Sequence, residues 1–162
     1  MSVLVDSDIL IEVSRGRDMD LVSQWTELSR SDVAILYSPV SAAELWAGAR
    51  PPEHDLIANL FHALTCVPID AATGQRAGDY LRRYRKSHAV ELGDALVAAA
   101  AVLNGATLWT RNRKHYPMKD LAFFRALFGE DRPTGKQASF NHVDIDVPSD
   151  SAAHVLPLVI HW

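Results

Sequence analysis

The chain has 162 residues, 48% of them apolar, and a net charge of −4 that leaves acids and bases interspersed. That suits one domain with a real core and excludes a uniformly basic nucleic-acid module. The lone Cys66 excludes an internal disulfide, and its place in the run Leu64-Thr65-Cys66-Val67 predicts a buried thiol in a reducing compartment.

The start, Met1-Ser2-Val3-Leu4-Val5-Asp6, lacks the basic segment of a signal peptide. Val3-Leu4-Val5 reads as a short buried strand, followed by a helix that breaks near Gly16. Asp18 is placed to cap a second helix to about Ser29, with Leu21, Trp25 and Leu28 inward. Residues 34–37 form the next strand, ended by Ser38-Pro39, and a helix is predicted from Ser41 to near Gly48. Leu56, Leu60, Phe61 and Leu64 mark another amphipathic helix, and residues 66–69 a short strand. Asp70 caps a long helix to about Tyr84, with Ala77, Leu81 and Tyr84 on one stripe. Residues 94–103 are apolar all round, which predicts a buried central helix. That stretch is the longest apolar run and is far too short to span a bilayer, so a cytoplasmic protein free of membrane is expected. Gly105 ends the helix and residues 107–110 form a strand.

Strands alternating with helices imply a parallel sheet covered on both faces. After Phe124 the pattern is lost: residues 128–135 look like a loop, and no period returns until 155–160. This tail reads equally as an edge strand, a partner-embracing arm or a segment unrelated to the core activity.

In a parallel sheet, the ends of the strands and the starts of the following helices share one edge, where ligands bind. Asp6 and Asp8 follow the first strand, Glu44 falls in the first turn of the helix after the second, Asp94 opens the apolar helix, and Arg111 and Asn112 follow the last strand. Taken singly, several have structural roles: Ser41-Ala42-Ala43-Glu44 is a capping-box pattern, and Asp8 and Asp94 suit helix caps. Asp6 is harder to explain that way, because an acid ending a buried strand loses on the order of several kcal/mol of hydration unless paired or metal-bound. Acids gathered on one edge repel unless a cation compensates, and oxygen donors suit Mg²⁺ or Mn²⁺. Such ions activate water against a phosphodiester without a nucleophilic side chain. The seven histidines show no zinc or triad spacing, and no Gly-rich phosphate loop is present.

The blocks Val5-Asp6-Ser7-Asp8-Ile9-Leu10, Ser41-Ala42-Ala43-Glu44-Leu45, Gly93-Asp94-Ala95-Leu96-Val97-Ala98-Ala99 and Thr110-Arg111-Asn112-Arg113-Lys114-His115-Tyr116 resemble, in order and spacing, those of PIN-domain ribonucleases. The likeness is strongest to the VapC toxins of type II toxin–antitoxin pairs. It covers residues 1–124 and leaves 125–162 as a C-terminal extension of unknown role. It implies a three-layer α/β/α sandwich around a mostly parallel twisted sheet, and an endoribonuclease that uses Mg²⁺, with Mn²⁺ as substitute. Asp6, Glu44 and Asp94 would be the metal-binding acids and Asn112 a fourth catalytic position, where many PIN domains carry an acid. That departure bears on whether a second metal binds without RNA.

Ser7 and Asp8 would be accessory polar groups, with Glu91 as a further carboxylate or a solvated residue. Arg111, Arg113 and Lys114 would contact RNA, whereas Arg82, Arg83, Arg85 and Lys86 read first as a solvated helix cap and Trp46 and Trp109 as core. The implied partners are RNA, a cognate VapB-like antitoxin docked near residues 40–64, and a second copy in a homodimer. Two alternatives stand beside this: a non-catalytic PIN-like binding scaffold, and a haloacid-dehalogenase-like phosphatase suggested by Asp6-Ser7-Asp8.

Overall fold

The computed structural model describes residues 1–125. Apart from Arg125, the expected extension over 125–162 lies outside the described residues.

Four parallel strands form one sheet in the order β3-β2-β1-β4: β1 (Ser2–Val5), β2 (Ala34–Tyr37), β3 (Thr65–Cys66) and β4 (Thr107–Trp109). Among the described residues six α-helices connect and cover them: α1 (Ser7–Arg15), α2 (Met19–Ser29), α3 (Pro39–Ala47), α4 (His54–His62), α5 (Ala71–His88) and α6 (Leu92–Leu103). β1 is central, with Val3 opposite Ile35 on one side and Val5 opposite Trp109 on the other. Because successive strand residues point to opposite faces, two cores form. Leu4, Leu36 and Leu108 pack with the buried residues of α5 and α6. Val3, Val5 and Trp109 pack with Ile9, Leu21, Leu45 and Phe61 of α1 to α4. The result is the expected helix–sheet–helix sandwich. Burial of each fully enclosed Leu or Val contributes about 1.5–3 kcal/mol.

Local chemistry sets the boundaries. The Asp18 carboxylate accepts from the Leu21 N–H at 3.1 Å and that of Asp70 from the Thr73 N–H at 2.9 Å, so both act as the expected N-caps. Gly16, at φ 61°, ends α1 in the left-handed region that glycine adopts freely.

Several expected details are corrected. α3 begins at Pro39, with Ser38 as its cap accepting from the Ser41 N–H at 3.1 Å. Proline at the first helical position brings its φ ready-made and has no N–H to lose. The Ser41–Glu44 capping box is therefore not formed, and Glu44 falls in the second turn. α5 continues to His88. The third strand is Thr65–Cys66, not 66–69; Pro68 has no N–H to give a ladder. This strand lies at the sheet edge, which leaves Cys66 exposed instead of buried. Trp46 is also surface-exposed, against Phe61 and His54, whereas Trp109 is core as expected.

Candidate active site

Asp6 ends β1. Its N–H donates to the Trp109 carbonyl at 3.0 Å, so the ladder with β4 carries the residue to the C-terminal edge of the sheet. Its side chain caps α1, accepting from the Ser7 N–H at 2.8 Å. The other carboxylate oxygen accepts from the Tyr116 hydroxyl at 2.7 Å, and the residue is only 7% exposed. Two donors thus offset part of the hydration lost by burying this charge.

Asp8, in the first turn of α1, does not cap its helix as expected but reaches across to β4. Its Oδ2 accepts from the Arg111 N–H at 2.9 Å and the Thr110 hydroxyl at 3.3 Å. Thr110 in turn accepts from the Asn112 N–H at 3.0 Å, so one carboxylate organises the whole turn after β4. Asp8 Oδ1 is buried with no hydrogen-bond partner. Burial, and then the charge of Asp6, push the Asp8 carboxyl above its ordinary range.

Asp94 is in the first turn of α6, not at its cap; the cap position is Glu91, whose N–H donates to Asp94 Oδ2 at 3.2 Å. His115 Nδ1 lies 3.7 Å from Asp94 Oδ1. Burial raises the pKa of Asp94, and the negative charge of Asp6 adds to the rise. The Tyr116 hydroxyl is pushed up strongly by burial, then by the charge of Asp6, with smaller contributions from Asp94 and Asp8. Three aspartates and one tyrosine therefore share a single electrostatic neighbourhood.

Glu44 is exposed beside the start of α6, where a Cβ added to Gly93 would lie 3.8 Å from its Oε1. Asn112 is exposed too, and with Asp8, Ile11, Glu12 and Arg111 it lines an open cleft of about 290 Å³. Ser7 is half-buried at the start of α1.

The donor set suits a hard divalent cation. All its anionic groups are carboxylates, two of them raised first by burial and then by the charge of Asp6, and one buried carboxylate oxygen is unpaired. Among the described residues no group of three His, Cys, Asp or Glu side chains forms a ready-made cage, so Asp6, Glu44 and Asp94 are not preassembled as three ligands. Mg²⁺ commonly binds through one or two carboxylates and keeps its remaining waters for exchange with substrate phosphate.

The basic residues divide. Arg111 Nη1 lies 3.6 Å from Glu12 and 3.8 Å from Asp18. Arg113 donates to the Phe124 carbonyl at 3.3 Å and stacks 5.0 Å above the Phe123 ring. Lys114 is exposed and in no ion pair among the described residues. On α5, Arg82 pairs with Asp79 at 2.8 Å, while Arg83, Arg85 and Lys86 are exposed. Sequence reasoning missed the roles of Tyr116, Thr110 and Glu12. Tyr116 follows the polar run Arg111-Asn112-Arg113-Lys114-His115, so its neighbours gave no sign of burial; only the packed ring shows that its hydroxyl needs a partner.

A family profile of the PIN domain matches residues 3–123. Ribonuclease VapC10 of Mycobacterium tuberculosis is 39% identical over 117 residues, covering 72% of this chain and 86% of that protein. Ribonuclease VapC19 of the same organism is 32% identical over 116 residues, covering 71% of this chain and 92% of its own length. Among solved structures, VapBC2 from Rickettsia felis bound to a promoter DNA fragment superposes with a TM-score of 0.64. That match is 20% identical and covers 76% of this chain and 98% of the other, a likeness of fold. With four blocks in order, an acid-lined edge and relatives matched over most of their length, the haloacid-dehalogenase alternative falls away: the chain belongs to the PIN-domain family, among the VapC ribonucleases.

Proposed function

We propose that this chain is a metal-dependent endoribonuclease, the toxin of a type II toxin–antitoxin pair, which hydrolyses RNA phosphodiesters with Mg²⁺ or, in its place, Mn²⁺. The observation that carries this reading is the gathering of Asp6, Asp8 and Asp94 at one edge of the sheet, where Asp8 Oδ1 is buried without a partner and burial, with the charge of Asp6 beside it, raises Asp8 and Asp94. Such a cluster is uncomfortable alone and is relieved by a dication. The similarity to the two VapC ribonucleases supports the choice of RNA as substrate.

Asp6 and Asp94 would hold the ion, with Glu44 reaching it directly or through water. A bound divalent ion would supply an activated water and neutralise charge on the phosphate. The chain's own groups do the rest. Glu44, exposed and in no side-chain hydrogen bond or ion pair among the described residues, would accept a proton from the attacking water. The Asn112 amide offers a neutral donor to a phosphate oxygen, and Lys114 is the basic side chain of its turn left open to the RNA backbone. Asp8 keeps that turn in place through Thr110 and the Arg111 N–H.

The nuclease domain is taken to span 1–124, with 125–162 a separate extension. A VapB-like antitoxin is the proposed partner, supported by likeness to VapBC complexes. Trp46, 39% exposed where α3 meets α4, marks its docking area, and a homodimer is proposed from family likeness alone.

The test is incubation with total RNA, with and without Mg²⁺ or Mn²⁺, followed by mapping of the ends. Metal-dependent internal cuts that vanish in Asp6→Asn are expected. A folded, metal-loaded protein that leaves RNA intact would favour the non-catalytic scaffold, for which the neutral Asn112 speaks.

A further inference from the structure

The structure assigns Tyr116 as a positioning residue for Asp6: its hydroxyl pins the carboxylate in the orientation that receives the divalent ion. This inference rests on the metal-site reading above.

Tyr116 follows the 3₁₀ turn Arg113–His115 and lies 110 residues from Asp6 in sequence. Its ring belongs to the core made with Leu4, the alanines of α6, Met118 and Leu121, and the residue is 4% exposed. A ring so enclosed has little freedom, so the place of its hydroxyl is set by packing. The phenol hydroxyl meets the Asp6 carboxylate as a donor. Its 2.7 Å contact is with Oδ2, whereas the Ser7 N–H occupies Oδ1 at 2.8 Å. Each carboxylate oxygen has two acceptor directions, so each retains one for an ion. The arrangement fixes the rotation of the carboxyl about its own axis. Partners that orient a metal ligand commonly contribute 10- to 100-fold in affinity, in rough terms.

A plainer role would be the mere satisfaction of a buried phenol. The two differ in what metal binding does when only the oxygen is removed. Tyr116→Phe retains the packed ring, and thermal unfolding in chelator checks that the variant is folded. Mn²⁺ binding without RNA is then measured by electron paramagnetic resonance for the wild type, Tyr116→Phe and Asp6→Asn. The expected result is a dissociation constant raised about 10- to 100-fold in Tyr116→Phe, with cleavage returning to near the wild-type rate at saturating Mn²⁺.

An unchanged Mn²⁺ affinity in Tyr116→Phe, with binding lost in Asp6→Asn, overturns the role of Tyr116 and leaves the metal site standing. Equal binding by the wild type and Asp6→Asn overturns the site itself. Independently of any variant, Mn²⁺ must broaden the nuclear magnetic resonance signals of the Tyr116 ring in the wild type. The effect must exceed that on Tyr80, which donates to Asp120 instead; equal effects on both rings overturn the assignment.

Discussion

The acidic edge has two halves built on different terms. On the β1–β4 side, Asp6 and Asp8 are tied by Tyr116, Thr110 and backbone N–H groups, and little of either carboxylate is left to move. On the side of α3 and α6, Glu44 is exposed, and Asp94 is held by one N–H and a more distant histidine. The tethered half can define a position in space before any ligand arrives. The open half can adapt to a metal, its waters and a polymer as they enter. A site for a large, flexible substrate gains from having both.

The severest way to break this contrast is to remove one charge from each half. Asp6→Asn and Asp94→Asn should each lower metal-dependent cleavage about a hundredfold or more while the fold survives. End-labelled RNA digests and circular dichroism check the two parts. If either variant cleaves normally, the halves do not share an ion.

Asp8→Ala should have a mixed effect. It strands the Arg111 N–H and the Thr110 hydroxyl, which costs about 1–3 kcal/mol, and lets the Asn112 turn drift, so cleavage falls. Glu44→Ala at the open half should reduce cleavage yet leave the free energy of unfolding within about 0.5 kcal/mol of the wild type. Measuring activity and urea unfolding on both variants sharpens the distinction; a Glu44→Ala protein that is as destabilised as Asp8→Ala would erase it.

The turn after β4 allows a finer separation. Arg113→Ala should lower the melting temperature by a few degrees, because it removes a carbonyl contact and a stacked aromatic, with little change in KM. Lys114→Ala should raise KM and weaken its salt dependence while leaving stability alone. Reversed results would restore Arg113 to the RNA contact that its sequence position suggests.

The smallest effect is one of pH. Asp8 and Asp94 have folded-state pKa values above the 3.8 of a free aspartate. Above that ordinary value these two groups hold more protons in the native protein than in the unfolded chain, so their contribution to stability falls as pH rises and levels off once both are ionised. Unfolding in chelator from about pH 4 to about pH 7 should show this decline, and saturating Mg²⁺ should offset it at the upper end. A stability that rises through the window would contradict the crowding of these acids.

Much of this architecture is legible from sequence because its causes are local. A carboxylate ending Val3-Leu4-Val5 announces Asp6, and aspartates three residues before the N–H groups they accept from announce α2 and α5. The start of α3 was ambiguous, since Ser38 and Ser41 both have a capping residue's chemistry; Pro39 decided between them. The exposure of Cys66 follows from β3 lying at an edge, which is a property of the sheet and not of the segment. The Tyr116–Asp6 bond, and the engagement of Arg111 by Glu12 and Asp18, join residues about a hundred positions apart. No short pattern encodes such pairs.

One further consequence lies away from the acids. Residues 98–101 of α6 are four consecutive alanines, all fully buried, so the helix is enclosed on every side within the core that also holds Leu4, Leu108 and Tyr80. Methyl groups act here as a shim whose thickness sets how closely α6 packs into this core, and with it the span between the helix that carries Asp94 and the strand that leads into Asp6. An added methylene or two would cost about 1–3 kcal/mol and tilt the helix as a lever. Silencing mutations are therefore expected deep in this alanine layer, in proteins whose every acidic side chain is intact.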